Sequence, residues 1–132
     1  MNNKKIDSRD IVKLCRNKGF LAKQMYAINT QSAGDLDKVM AHVEEHLAFQ
    51  VELEHQGIMF AAGPVFADNG STWLGEGLVI IRAESLIDAE RIAASDPMHR
   101  SGARTYQVRP WLVNEGSITV RISYSDGKCE VL

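Results

Sequence analysis

The sequence predicts an α+β fold in which four strands and two helices follow one another as β-α-β-β-α-β. Three observations carry that expectation. From Asp35 to His55 apolar residues recur at three- or four-residue intervals, and neither Pro nor Gly interrupts them. Short apolar runs flank this stretch, Met25 to Ile28 before it and Ile58 to Ala62 after it. The strong turn signal Asp68-Asn69-Gly70-Ser71 then separates the second of these runs from a third, Leu78 to Arg82.

The elements follow in order. Asp7 or Ser8 is placed to cap a short N-terminal helix, in which Ile11, Leu14, Cys15 and Lys18 fall three or four apart and Gly19 is the stop. Phe20 to Asn29 reads as a buried first strand that ends in the polar turn Asn29-Thr30-Gln31-Ser32. In the first core helix Leu36, Val39, Met40, Val43, Leu47, Val51 and Leu53 or Glu54 recur mostly at three- or four-residue intervals, with Gly57 as its stop. Ile58 to Ala62 is strand two, closed by Gly63-Pro64, and a hairpin joins it to strand three at Leu78 to Arg82. Ser85, three residues ahead of Asp88, opens a second core helix with Leu86, Ile87, Ala89, Ile92 and Ala93 as its apolar face. That helix ends near Ser95, because Pro97 disfavours helical geometry at Asp96. Thr105 to Val108 alternates as strand four and runs into Arg109-Pro110-Trp111. This order is the ferredoxin-like split βαβ arrangement, with both helices on one face of an antiparallel sheet. Ser117 to Tyr124 and Lys128 to Val131, joined by Ser125-Asp126-Gly127, form a further C-terminal hairpin.

A chain of 132 residues has the size of one domain with short extensions. The expected boundaries are an N-terminal helical extension over 1–20, the ferredoxin-like domain over 21–114 and the C-terminal hairpin over 115–132. Net charge is −2, which gives no electrostatic pull toward nucleic acid or an anionic membrane surface. The polar N-terminus has no apolar signal region, and no apolar run approaches the length that spans a bilayer, so the expected location is cytoplasmic. Cys15 and Cys129 stand at opposite ends without CxxC spacing. They are expected to remain reduced rather than pair, and they imply no metal site.

A single four-stranded sheet with helices on one face leaves its other face uncovered. The simplest cover is a second copy of the same sheet, so a homodimer or a higher oligomer is expected.

Several residues have the chemistry for a site. His46 sits one position from the apolar row of Val43 and Leu47. That placement suits a boundary histidine bonded to a nearby carbonyl, and it equally suits a proton-transfer group at neutral pH. Asp96 before Pro97 is a standard turn residue, and it is also a carboxylate available to a histidine. His99 and Arg100 follow closely, to face a cleft or solvent. His42 and His46 share a helix face in the pattern His-Val-Glu-Glu-His, but no third ligand can be named, so no metal is expected. Gly63-Pro64 makes a bend or brings backbone amides close to a ligand. Arg109 and Trp111 suit a dimer contact or the wall of an anionic pocket. The glycines at 70, 75 and 77 lack phosphate-loop spacing, and no GxSxG motif is present, so neither a nucleotide nor a covalent serine mechanism is indicated.

Four short motifs in order, His46-Leu47-Ala48-Phe49, Gly57-Ile58-Met59-Phe60-Ala61-Ala62-Gly63-Pro64, Ala94-Ser95-Asp96-Pro97-Met98 and Val108-Arg109-Pro110-Trp111, give the chain a resemblance to the YciI-like (YCII-related domain) family. It extends from about Ala22 to Trp111. The resemblance implies a dimeric α+β barrel made of two ferredoxin-like units, with His46 and Asp96 as the active-site pair. Family members often carry an Arg where Val43 stands here, followed by Glu44 and Glu45, which removes one expected anion contact. Two functions follow as expectations. One is a cofactor-independent lyase, isomerase or dehalogenation-like enzyme, with His46 as acid/base, Asp96 orienting it, and Gly63, Pro64, His99 and Arg109 around a small molecule. The other is a non-catalytic metabolite-binding or regulatory dimer of the same fold.

Overall fold

The computed structural model describes residues 3–132. The first two residues of the expected N-terminal extension, Met1 and Asn2, lie outside them. The chain divides into two compact units: Gln24–Leu112, and the described residues up to Lys23 together with Val113–Leu132.

Within the larger unit, β1 (Lys23–Ser32), β2 (Met59–Pro64), β3 (Gly77–Ile81) and β4 (Arg104–Val113) form one sheet in the order β2-β3-β1-β4. β3 runs antiparallel to both β1 and β2. This is the ferredoxin-like order that two βαβ crossovers produce when the hairpin strand lies between the strands they connect. Period-two alternation sends Tyr26 and Ile28 of β1 and Val79 and Ile81 of β3 to one face. There they meet Leu53 from α3 (Val43–His55) and Ala89, Ile92 and Ala93 from α4 (Leu86–Ala94). A fully buried side chain such as Ile81 contributes about 1.5–3 kcal/mol relative to exposure, so this apolar face holds the helices on the sheet. α4 starts where the sequence indicates: Ser85 is extended, and its hydroxyl accepts from the Asp88 N–H at 3.0 Å.

The stretch expected as one helix is two. α2 (Leu36–Ala41) is capped by Asp35 and ends at His42, whose backbone leaves helical values at φ −109°, ψ 4° before α3 begins. The His42 ring donates from Nδ1 to the Lys38 carbonyl at 3.0 Å, taking the acceptor that the helix ladder would use. The break lets Val39 pack in a separate small cluster with Met98 and Ala103, while Leu53 stays in the main core. The Asp96-Pro97 segment, read from sequence as a turn, opens a fourth short helix of this unit, α5 (Pro97–Arg100).

In the smaller unit, α1 (Ser8–Asn17) is capped by the Asp7 side chain, which accepts from the Arg9 N–H, and Gly19 turns the chain at φ 77°. Cys15 is buried and receives a hydrogen bond from Asn114 Nδ2 at 3.3 Å. β5 (Val120–Ile122) pairs antiparallel with β6 (Cys129–Val131), and both cysteines are free thiols. Among the described residues no helix is long and apolar enough to cross a membrane.

Candidate active site

His46 lies one turn into α3, where its N–H bonds the His42 carbonyl at 3.0 Å, and the helix presents its ring inward with 7% exposure. Asp96 is the N-cap of α5. It is extended at φ −63°, ψ 130°, with Pro97 supplying a first helical residue that needs no N–H partner. One Asp96 oxygen accepts the Met98 N–H at 2.9 Å, as an N-cap does. The same carboxylate, itself 5% exposed, accepts from His46 Nδ1 at 2.8 Å to Oδ2 and 3.0 Å to Oδ1. The turn residue and the histidine partner are therefore one side chain doing both things.

Burial is the largest influence on the Asp96 carboxyl and pushes it up. The hydrogen bond and charge of His46, with the Met98 N–H, outweigh it and hold the group below its ordinary value of 3.8. Asp96 is thus ionised at neutral pH and can only accept. The proton between the two belongs to His46 Nδ1, and Nε2 is the ring nitrogen left for other work.

That ring forms part of the wall of a cavity of about 420 Å³. The volume falls in the range of about 300–1,000 Å³ that holds small molecules. Val43, Leu47, Phe66, Trp73, Val79 and Met98 give it an apolar lining, and its polar side chains are His46, Gln50 and Arg104. Of the residues expected around a ligand, Gly63 and Pro64 line this cavity and Arg109 does not. Arg104, Tyr106 and Val108 alternate toward the helices along β4, which sends Arg109 and Trp111 to the opposite face of the sheet.

His99, expected to face a cleft or solvent and grouped with the residues around the small molecule, does not line this cavity and is not open to solvent. It is half-buried. Its Nδ1 donates to the Ala93 carbonyl at 2.7 Å, its Nε2 accepts from the Thr30 hydroxyl at 2.8 Å, and its ring stacks on Tyr106 with centroids 3.9 Å apart. Desolvation is the main reason its pKa lies below 6.5, which fits this neutral, fully bonded ring. Among the described residues no three His, Cys, Asp or Glu side chains gather as a metal site needs.

Arg104, Trp73 and Phe66 line the cavity and were not picked out from the sequence. Phe66 and Trp73 lie in the turn-rich connection between β2 and β3, which carries no periodic pattern. Arg104 stands one residue before the run read as strand four, although its spacing from Val108 puts it in the inward set.

A model of the YCII-related domain family matches residues 24–112. No curated relative matches the chain. Among solved structures the chain is similar to 5-chloro-2-hydroxyhydroquinone dehydrochlorinase (TftG) from Burkholderia phenoliruptrix AC1100, in complex with 2,5-dihydroxybenzoquinone. The identity is 21%, the match covers 66% of this chain and 92% of that one, and the TM-score is 0.58. At that identity the likeness establishes a common fold.

Proposed function

Because this chain belongs to the YCII-related domain family, with residues 24–112 matching it, we propose that it is a small-molecule enzyme in which His46 moves protons and Asp96 orients it. The observation that carries this reading is the buried His46–Asp96 hydrogen bond at the wall of the cavity. His46 Nε2 takes a proton from a carbon or oxygen acid held there, and the ionised Asp96 stabilises the imidazolium that forms. Returning the proton to a different atom gives an isomerisation. Departure of a leaving group with its electron pair gives a lyase or dehalogenation step, and neither route calls for a redox cofactor. A positioned acid/base of this kind supplies about 10²- to 10⁴-fold in rate. That a protein of the same fold is a dehydrochlorinase with a quinone bound supports the reading.

We further propose a cytoplasmic homodimer. Both cysteines are free, as in a reducing compartment. The sheet face away from the helices carries Leu78 at 38% and Trp111 at 44% exposure, apolar surface that a second copy would bury.

The test is solvent-deuterium incorporation and, for halogenated compounds, halide release, across a panel of unsaturated lactones and halogenated hydroxyquinols that includes 5-chloro-2-hydroxyhydroquinone. The expected result is turnover of at least one member, reduced about 10²- to 10⁴-fold by His46→Gln. Binding of panel members without exchange or release overturns catalysis and leaves a metabolite-binding dimer. Turnover that His46→Gln does not reduce overturns the assigned base.

A further inference from the structure

Arg104 is the least accommodated side chain in the cavity wall. It is 6% exposed, yet its guanidinium forms no hydrogen bond and no ion pair among the described residues, and Nε is buried without a partner. A buried cation without a partner is costly, and proteins seldom retain one without a compensating anion. Its surroundings fix it rather than satisfy it. The guanidinium carbon sits 5.8 Å from the centre of the Trp73 ring, which is itself held by the indole N–H donating to the Glu76 carbonyl at 2.8 Å. On another side the Gly77 backbone approaches so closely that a Cβ there would lie 3.5 Å from Arg104 Nη1 and 3.3 Å from Thr30. Burial draws the Arg104 pKa below the usual arginine range and the Asp96 charge partly restores it, but the carboxylate itself is engaged by His46 and Met98.

Among the described residues the cavity has no other charged lining side chain: no Asp, Glu or Lys contributes to its wall. One cation, one proton-transfer ring, the neutral amide of Gln50 and an otherwise apolar lining with two aromatic side chains define a ligand of complementary form. We propose that Arg104 is the anion-binding residue of this cavity, and that its ligand is a flat, mostly apolar molecule bearing a single oxyanion such as a carboxylate, phenolate or enolate. The inference rests on the reading of the cavity as a substrate site and names the substrate class. The oxyanion supplies the missing acceptor for the guanidinium, in the paired geometry that arginine favours. A phosphate dianion fits less well, because only one cation is present to neutralise it. With the ring anchored at Arg104, the substrate's remaining edge is left for His46.

The test is calorimetric titration of the full chain with benzoate and with benzamide, its neutral isostere, in wild type, Arg104→Met, Arg104→Gln and His46→Gln. The expected result is benzoate bound about tenfold or more tighter than benzamide by wild type and by His46→Gln. Both Arg104 variants abolish that preference by weakening benzoate, with benzamide little changed. Arg104→Met also melts no lower than wild type, since it removes an unpartnered buried charge. Equal binding of the two probes, a benzoate preference that survives both Arg104 variants, or no benzoate binding by wild type overturns the assignment. If the preference stands while the deuterium-exchange panel shows no turnover, the catalytic reading fails and the anion site does not.

Discussion

His46 donates from Nδ1 to both oxygens of Asp96, at 2.8 and 3.0 Å, between residues 50 positions apart in the chain. Neither helix that carries them makes sense of the contact alone. α3 buries an imidazole and α5 is capped by a carboxylate, and only the packing of the two turns a cap into a charge partner.

Substitution of Asp96 separates these two roles. Asp96→Asn keeps an oxygen for the Met98 N–H but removes the charge, and it is expected to lower stability by about 1.5–3 kcal/mol, the range for a hydrogen bond to a charged group. Asp96→Ala also loses the cap and costs about 1 kcal/mol more. Urea unfolding of the three proteins checks the order wild type, Asn, Ala. Equal midpoints for wild type and Asp96→Asn contradict it.

Stability should fall on acidification in two stages. His99 is held below 6.5 in the fold, so between its folded value and 6.5 the unfolded chain binds more protons. Its contribution is therefore complete above about pH 6.5 and declines as pH falls through the folded value. Asp96 is likewise lowered, and its contribution, complete above 3.8, is lost below that pH. Melting temperatures measured from pH 8 downward should decline from about pH 6.5, and His99→Gln should flatten the first stage. A curve of unchanged slope in that variant assigns the first stage to another group.

Gly77 sits on β3 against Thr30 and Arg104. Gly77→Ala places a methyl 3.3 Å from Thr30 Cγ2, so Thr30 must give by a few tenths of an ångström, while the 3.5 Å to Arg104 Nη1 is ordinary contact. The expected cost is about 1 kcal/mol or slightly more, from overpacking. Calorimetric melting checks it, and a variant as stable as wild type shows that the β3 backbone yields freely.

The exposed Leu78 and Trp111 on the sheet face away from the helices give a prediction about assembly. Leu78→Glu and Trp111→Glu together put two charges where a second copy is proposed to pack, and sedimentation velocity should find this variant monomeric where wild type is dimeric. A dimer that survives both changes uses another surface.

The order of elements was legible because local signals and the global fold agree: Ser85 caps α4, the Asp68 to Ser71 segment turns the chain, and the β3 run is apolar on both faces. The break at His42 was not, since it depends on a ring hydrogen bond to Lys38 that leaves the apolar stripe intact. The same limit applies to the site. Periodicity placed His46 at the edge of an apolar stripe without revealing what it touches, and it was the family motifs that drew attention to Asp96. Arg104 escaped notice because its distinction is a missing partner, which only the packed fold can display.

The account turns on which nitrogen of His46 carries the proton. Long-range nitrogen–proton correlation NMR of the imidazole, on the wild-type protein, tells a ring protonated at Nδ1 alone from one protonated at Nε2 alone and reads this directly. The account predicts a protonated Nδ1 bound to Asp96 and a bare Nε2. A ring protonated at Nε2 alone would leave Asp96 without a hydrogen bond from His46 and the cavity without its base, and would contradict it.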